Sequence, residues 1–359
     1  MKVVVVGGGV AGCMTALTLR KRGCEVTLVE RNVVASQTSG ESSWAGAGIL
    51  FPLLPWMYSE VVNQLTLTGA SLYPAFFDEL REQTGIDPEY WQCGMMLLPA
   101  FDQAVARQWC ESHGFVSEPV AADALPVQSL TPGDGLWIPA VGQARPPNVL
   151  KALRQALLLN GIELREGTEL QPLSDTRRLT EWRTTKGEVL QADRFVVTSG
   201  AWSFELLKAN AMKLNIKPMR GQILLYQQPA KALEHMIYRE GFYMVPRKDG
   251  LLLAGSTLED VGFDPATTDK VRTELAAKAE AIMPALRDMP ILKHWSGLRP
   301  GTPENLPVIA AHPQIENLFL NTGHFRYGLT MAPCSAQMVA SLICGGEPLH
   351  DTRPFAMPA

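Results

Sequence analysis

The chain has 359 residues, 46% of them apolar, and a formal net charge of −4. That length supports a large core in two or three domains, and without any basic run the composition excludes an electrostatic footprint for nucleic acid. The six cysteines form no Cys-x-x-Cys pair and the six histidines show no metal-ligand spacing, which argues against a metal centre and for buried thiols in a reducing compartment.

The first thirty residues carry the strongest signal. Val3 to Val6 read as a buried strand that enters Gly7-Gly8-Gly9-Val10-Ala11-Gly12. Val10, Met14 and Leu17 then recur at helical spacing up to Gly23, and Val26 to Val29 form a second strand with Glu30 at its tip. This is the dinucleotide-binding fingerprint. Gly7 permits the tight turn, Gly9 leaves room for a pyrophosphate, and Gly12 lets the helix approach the strand. The helix N-terminus offers unpaired N–H groups to phosphate. An acid at position 30 suits free ribose hydroxyls and disfavours the extra phosphate of NADP. The chain enters this first strand directly, with no signal-peptide pattern.

A polar loop over 35–43 leads into Ala45-Gly46-Ala47-Gly48. The apolar stretch 45–58 is too short to span a bilayer and contains Pro52 and Pro55. It reads as the lip of a site in preference to a membrane-touching loop, since flanking basic residues are lacking. A helix is expected over about 60–84, then a mixed segment to about Gln143. Asn148 looks like the N-cap of an amphipathic helix that stops at Gly161. A short strand follows over 162–165. Lys186-Gly187 marks a hairpin, and Phe195 to Thr198 a buried strand ending in Ser199-Gly200-Ala201-Trp202. Strands recur over 222–226, 242–246 and 251–254, with a turn at Lys248-Asp249-Gly250. A helix spans about 269–283, a strand 318–322, and after Gly323 a long apolar helix runs over about 330–344. Nucleotide-type βα units thus sit at the start, middle and end, with an antiparallel-looking sheet between them. The fold class is α/β, a doubly wound Rossmann-like domain beside a second domain on a mainly antiparallel sheet.

One side chain stands out as a ligand for substrate. Arg299 precedes Pro300, which favours extended backbone, and follows Trp295 and Leu298 in an apolar setting. Its planar fork matches a carboxylate, either a substrate's or that of a structural Asp or Glu. Tyr243, between Phe242 and Met244 on an expected strand, reads from pattern alone as a core tyrosine with a satisfied hydroxyl.

Four stretches beside the fingerprint carry a resemblance: Ser42 to Ile49, Val196 to Ser203, Trp295 to Thr302, and Gly323 to Leu329, together with Gly-Phe-Tyr-Met-Val-Pro-Arg from Gly241. In these the chain resembles the D-amino-acid-oxidase superfamily of FAD enzymes, and most closely the bacterial glycine oxidases linked to thiamine biosynthesis. The resemblance implies non-covalent FAD, since no cysteine matches the attachment point of related sarcosine oxidases. It implies cofactor contacts at Gly7, Gly9, Val10, Ala11, Gly12, Glu30, Arg31, Ser42, Ser43, Ala47, Gly48, Ile49, Leu170, Gly200 and Trp202, and from His324 through Phe325, Arg326, Tyr327, Gly328 and Leu329 to Thr330. It makes Arg299, Tyr243 and Arg326 catalytic candidates, with Leu258 and Ile49 beside the substrate. Leu258 stands where one glycine oxidase type has a methionine, and Tyr327 where the flavin-edge motif has an asparagine. The implied division is 1–77, 143–217 and 299–359 for FAD, and 78–142 and 218–298 for substrate.

The implied reaction is hydride loss from the Cα of glycine, sarcosine or a small D-amino acid. It ends in a 2-oxo acid, ammonia and, with oxygen as acceptor, hydrogen peroxide. Two alternatives stay open at this point: a dehydrogenase delivering electrons to a quinone or carrier, and a flavin-bound interaction protein without turnover. A cytoplasmic location and either a monomer or a homo-oligomer fit the sequence.

Overall fold

The computed structural model describes residues 1–38, 40–120, 135–174, 176–228 and 233–357. Ser39 of the expected polar loop and residues 121–134 of the expected mixed segment lie outside the described residues.

Valine-rich strands with no polar face require cover on both sides, and they obtain it. A six-stranded sheet runs in the order Val308–Ala311, Leu318–Thr322, Arg194–Val197, Lys2–Val6, Glu25–Val29, Glu163–Arg165. All neighbours are parallel except the edge strand Val308–Ala311. Val3 and Val5 pack into one core with Leu17 and Leu19 of the helix Val10–Lys21 and with Met331 and Val339 of the C-terminal helix Gly328–Cys344. Val4 and Val6 face the opposite core with Phe195, Val197 and Leu320. The long helix Glu60–Thr84 joins the first core through Tyr73, Phe77 and Leu80 and ends at Gly85 in a left-handed cap, φ +71°.

A second sheet of eight strands runs Ile291–Gly301, Lys217–Gln227, Leu251–Gly255, Phe242–Pro246, Met236–Arg239, Met95–Leu97, Leu136–Ile138, Glu118–Pro119. Its pairs are antiparallel apart from Met236–Arg239 with Met95–Leu97. Among the described residues, no helix is long and apolar enough to cross a membrane.

The observed elements differ from the sequence expectation in places, and the strand expected over 222–226 runs from Lys217 to Gln227. The helix expected from Asn148 begins at Pro146, because proline needs no N–H partner at a first turn, and Asn148 instead donates to Glu89 at 2.6 Å. The C-terminal helix begins at Gly328 rather than Thr330. The strand Ile291–Gly301 extends over a stretch that patterning left without an element, and it contains Arg299 and Pro300.

Candidate active site

A cleft of about 520 Å³ opens at the C-terminal end of Lys2–Val6, where the strand order reverses. Its first end is built from glycine. Gly7 turns with φ +114°, and a Cβ on Gly12 would overlap the Gly7 carbonyl oxygen, so the helix lies directly on the turn. Ser43 Oγ accepts from Val10 N–H at 3.0 Å, tying the segment Ser42–Ala45 to the helix N-terminus. The Glu30 carboxylate is aimed by two backbone donors, Gly8 N–H at 2.8 Å and Asn32 N–H at 2.9 Å. It keeps lone pairs for a further donor. The Arg31 guanidinium lies 4.0 Å from the centre of the Trp202 ring, and both line the cleft with Leu170 and Gly200.

At its other end the cleft passes between the segment Ala47 to Leu53 and the start of the C-terminal helix. Thr330 Oγ1 donates to the Ile49 carbonyl at 3.1 Å, and the Tyr327 hydroxyl accepts from Leu53 N–H at 3.1 Å. The helix N-terminus has no side-chain cap and its first residues, Gly328 to Thr330, line the cleft, so the positive end of its dipole lies there. Beside it His324 lines the cleft with a buried Nε2 that has no partner among the described residues, and burial lowers its pKa to about 4, leaving the ring neutral near pH 7.

Arg299 occupies the wall contributed by the second sheet. Its Nη2 donates to Ser256 Oγ at 2.7 Å and its Nη1 to the Thr257 carbonyl at 3.1 Å. A Cβ on Gly221, in the paired strand, would overlap this guanidinium, so the missing side chain is what admits it. No carboxylate among the described residues forms an ion pair with Arg299. Glu259, the nearest candidate, is taken by Arg220 at 2.7 Å and also accepts from Thr257 and Gln222. Burial depresses the Arg299 pKa, offset in part by neighbouring Tyr243, yet a guanidinium stays charged. Tyr243 and Ser256 line the cleft beside it. Exposed Arg326 lines it too and stacks toward Phe325, 5.2 Å from the ring centre.

The structure therefore brings the sequence-derived residues to one cleft, with two exceptions. Gly12 lies behind the wall and acts through packing. Leu258 is a correction: it sits past the end of Leu251–Gly255, is 43% exposed, and does not line the cleft. The chain bends there so that Ser256 meets Arg299, which carries Leu258 outward. Of the apolar stretch 45–58, Gly46 to Ile49, Phe51 and Leu53 line the cleft, while Met57 is 70% exposed.

Sequence reasoning missed Ser256, Gly221 and Arg247. Arg247 is buried and donates to the Ala47 carbonyl at 2.7 Å, the Ala144 carbonyl at 3.1 Å and the Gln143 side chain. It clamps the loop under the cleft with no carboxylate of its own, and burial lowers its pKa to about 10. It closes the Gly-Phe-Tyr-Met-Val-Pro-Arg stretch, so the motif contained the signal.

A model of a family described as FAD dependent oxidoreductase matches residues 2–342. The chain belongs to that family. It is 40% identical to a glycine oxidase of Pseudomonas aeruginosa over 99% of this chain and 98% of that one. It is 31% identical to the bifunctional protein ThiO/ThiG of Trichormus variabilis over 95% of this chain and 52% of that one. The crystal structure of glycine oxidase from Geobacillus kaustophilus superposes with a TM-score of 0.90 at 28% identity, covering 99% and 98% of the two chains. The residues present fit FAD: a glycine cradle at a helix N-terminus for phosphates, an oriented carboxylate for ribose, and an uncapped second helix beside the unpartnered His324 nitrogen.

Proposed function

We propose that this enzyme carries out FAD-dependent oxidative deamination of glycine or a related small amino acid, and that FAD is held without a covalent bond. The observation that carries the reading is Arg299: a charged, planar donor without an acidic partner, facing the cleft beside the Tyr243 hydroxyl. The glycine oxidases among the relatives support the substrate class. FAD, when bound, would supply the two-electron acceptor for the hydride lost from the substrate Cα and the route from there to oxygen, the overall products being the 2-oxo acid, ammonia and hydrogen peroxide.

The protein's part is to bind and orient. Glu30 accepts from the ribose hydroxyls, and the Gly7 to Ala11 turn with Ser42 and Ser43 receives the pyrophosphate. Leu170, Gly200, Arg31 and Trp202 enclose the adenosine end. Ala47, Gly48 and Ile49, steadied by Arg247 through the Ala47 carbonyl, and His324 to Thr330, with the positive dipole end of the C-terminal helix, would hold the flavin end of the cofactor. Arg299 and Tyr243 fix the substrate carboxylate, which points the Cα hydrogen at the ring. Ser256 and Thr257 each take one donor of Arg299 and leave its remaining N–H groups for the carboxylate. Arg326 lies at the same end of the cleft as a second cation. The likeness to ThiO/ThiG supports a role in thiamine biosynthesis. The six free cysteines support a cytoplasmic enzyme. The two sheets support a division at 1–77, 143–217 and 299–359 for FAD and 78–142 and 218–298 for substrate.

Anaerobic mixing with glycine, sarcosine and small D- and L-amino acids tests the reading. Bleaching of the flavin by glycine or a close analogue, followed by recovery in air with release of peroxide, is expected. A flavin that no small amino acid bleaches would refute it.

A further inference from the structure

Two cysteines from opposite ends of the chain meet away from the cleft. Cys24 sits in the turn between Val10–Lys21 and Glu25–Val29, and Cys344 is the last residue of Gly328–Cys344. Their Sγ atoms are 3.5 Å apart across a sequence separation of 320. Cys24 is buried and Cys344 exposed, and neither lines the cleft. The frame around them is fixed. Cys24 N–H donates to the Leu19 carbonyl at 3.1 Å, and Arg22 Nη2 donates to Ser341 Oγ at 3.0 Å, tying one turn to the other helix. The other four cysteines are buried, and among the described residues none faces a second thiol.

We propose that Cys24 and Cys344 form a peroxide-sensitive thiol pair that closes to a disulfide and staples the end of the C-terminal helix to the start of the second strand. Cys344, the accessible thiol, attacks one oxygen of hydrogen peroxide. The O–O bond breaks, a sulfenic acid forms, and the released hydroxide leaves as water with the thiol proton. Cys24 Sγ then attacks that sulfur, the S–O bond breaks, and a second water leaves with the Cys24 proton. Two thiols and one peroxide give one disulfide and two waters. The order follows from position. Burial, then the neighbouring Cys344 thiol, pushes Cys24 up to about 11, which suits it to the second step. Arg22 and the chain's amino terminus bring positive charge to the pair and oppose the negative end of the helix dipole at Cys344. The proposed oxidase reaction would supply the oxidant at the same molecule, but the test adds peroxide directly and is independent of that reaction.

The holoenzyme is titrated with hydrogen peroxide, quenched with catalase, alkylated and mapped without reduction. A Cys24–Cys344 cross-linked peptide is expected, with an intact mass lower by two hydrogens, reversal by dithiothreitol, and a Tm raised by several degrees while the bond persists. Cys344→Ser should abolish the cross-link and the Tm rise. Cys24→Ser should leave a sulfenic acid on Cys344 that dimedone traps. Met57, 70% exposed, serves as an internal standard for oxidation. If Met57 oxidises while both thiols still alkylate, or if Cys344 links two chains instead of reaching Cys24, the proposal is overturned.

Discussion

At the scale of single residues, the decisive contrast is between a charge with an internal partner and a charge without one. Arg220 is buried and answered by Glu259 and Asp264; Arg299 has only a hydroxyl and a carbonyl. Arg247, also without a carboxylate, divides its donors among two carbonyls and a glutamine and does not line the cleft; Arg299 lines the cleft itself, so Arg299 awaits an anion there. Arg299→Ala should retain FAD and lose about 2–5 kcal/mol of productive binding for amino acids. That is a fall in kcat/KM of tens to thousands of fold. Arg299→Lys should restore only part, since an ammonium cannot make the planar pair. Kinetics with glycine and with an uncharged amine of similar size check this: equal losses for both would assign Arg299 to the fold or the cofactor. Glu30 is a different case, a carboxylate already aimed by the Gly8 and Asn32 N–H groups. Glu30→Ala removes the ribose acceptor together with the group that orders its own loop. FAD affinity should drop roughly tenfold to a hundredfold, from about 1.5–3 kcal/mol for bonds to a charged group. Titration of apoprotein with FAD measures it, and an unchanged Kd would remove the ribose role.

At the scale of elements, the fingerprint unit was readable in the sequence because each of its parts is local. A valine run, a glycine turn, an apolar helical period and an acid lie within thirty residues, and nothing distant is needed to specify them. The strand Ile291–Gly301 is the opposite case. Its sequence Trp295-Ser296-Gly297-Leu298-Arg299-Pro300-Gly301 has no alternation and carries a proline, so propensity argues against a strand. Pairing with Lys217–Gln227 imposes it, with Gly221 opposite Gly297 and Pro218 opposite Pro300. That register sets Gly221 under the Arg299 side chain. Ser256 and Arg247 escaped notice for the same reason: their partners, Arg299 and Ala47, are tens to hundreds of residues away. Leu258 was misplaced because a motif position does not say which way a bend turns. Gly221→Ala tests the register directly. The added methyl displaces the guanidinium from Ser256 and Thr257, so KM for glycine should rise at least several-fold while FAD occupancy and far-ultraviolet circular dichroism stay as in wild type. Kinetics equal to wild type would mean that Arg299 has another equally good seat.

At the scale of the whole molecule, the cleft is lined from both sheets, and burial between them shifts the titration of groups in its wall. His324 is the clearest instance. Burial lowers its pKa from 6.5 to about 4, and its Nε2 has no partner among the described residues. Unfolded, the same imidazole takes up a proton near pH 6.5. Between these values the unfolded chain binds more protons than the native one, so native stability falls as the pH is lowered through that window. Above about 6.5 both states are neutral and His324 contributes no slope. The slope reaches about 1.4 kcal/mol per pH unit, giving a loss of about 2 kcal/mol from pH 6.5 to 5. His312 and His294 are also shifted down by burial and add to the slope in the same direction. The contribution of His324 is therefore isolated by difference, with His324→Asn, which stays neutral throughout. Urea unfolding of both apoproteins, in steps from pH 7.5 to 4.5, makes the comparison, since FAD bound beside His324 would add a stabilisation that changes with the substitution. Wild type should lose stability faster than His324→Asn below pH 6.5, and the two curves should run parallel above it. Parallel curves over the whole range would show that His324 accepts a proton as easily folded as unfolded, and that the junction between the C-terminal helix and the cleft is open to water rather than dry.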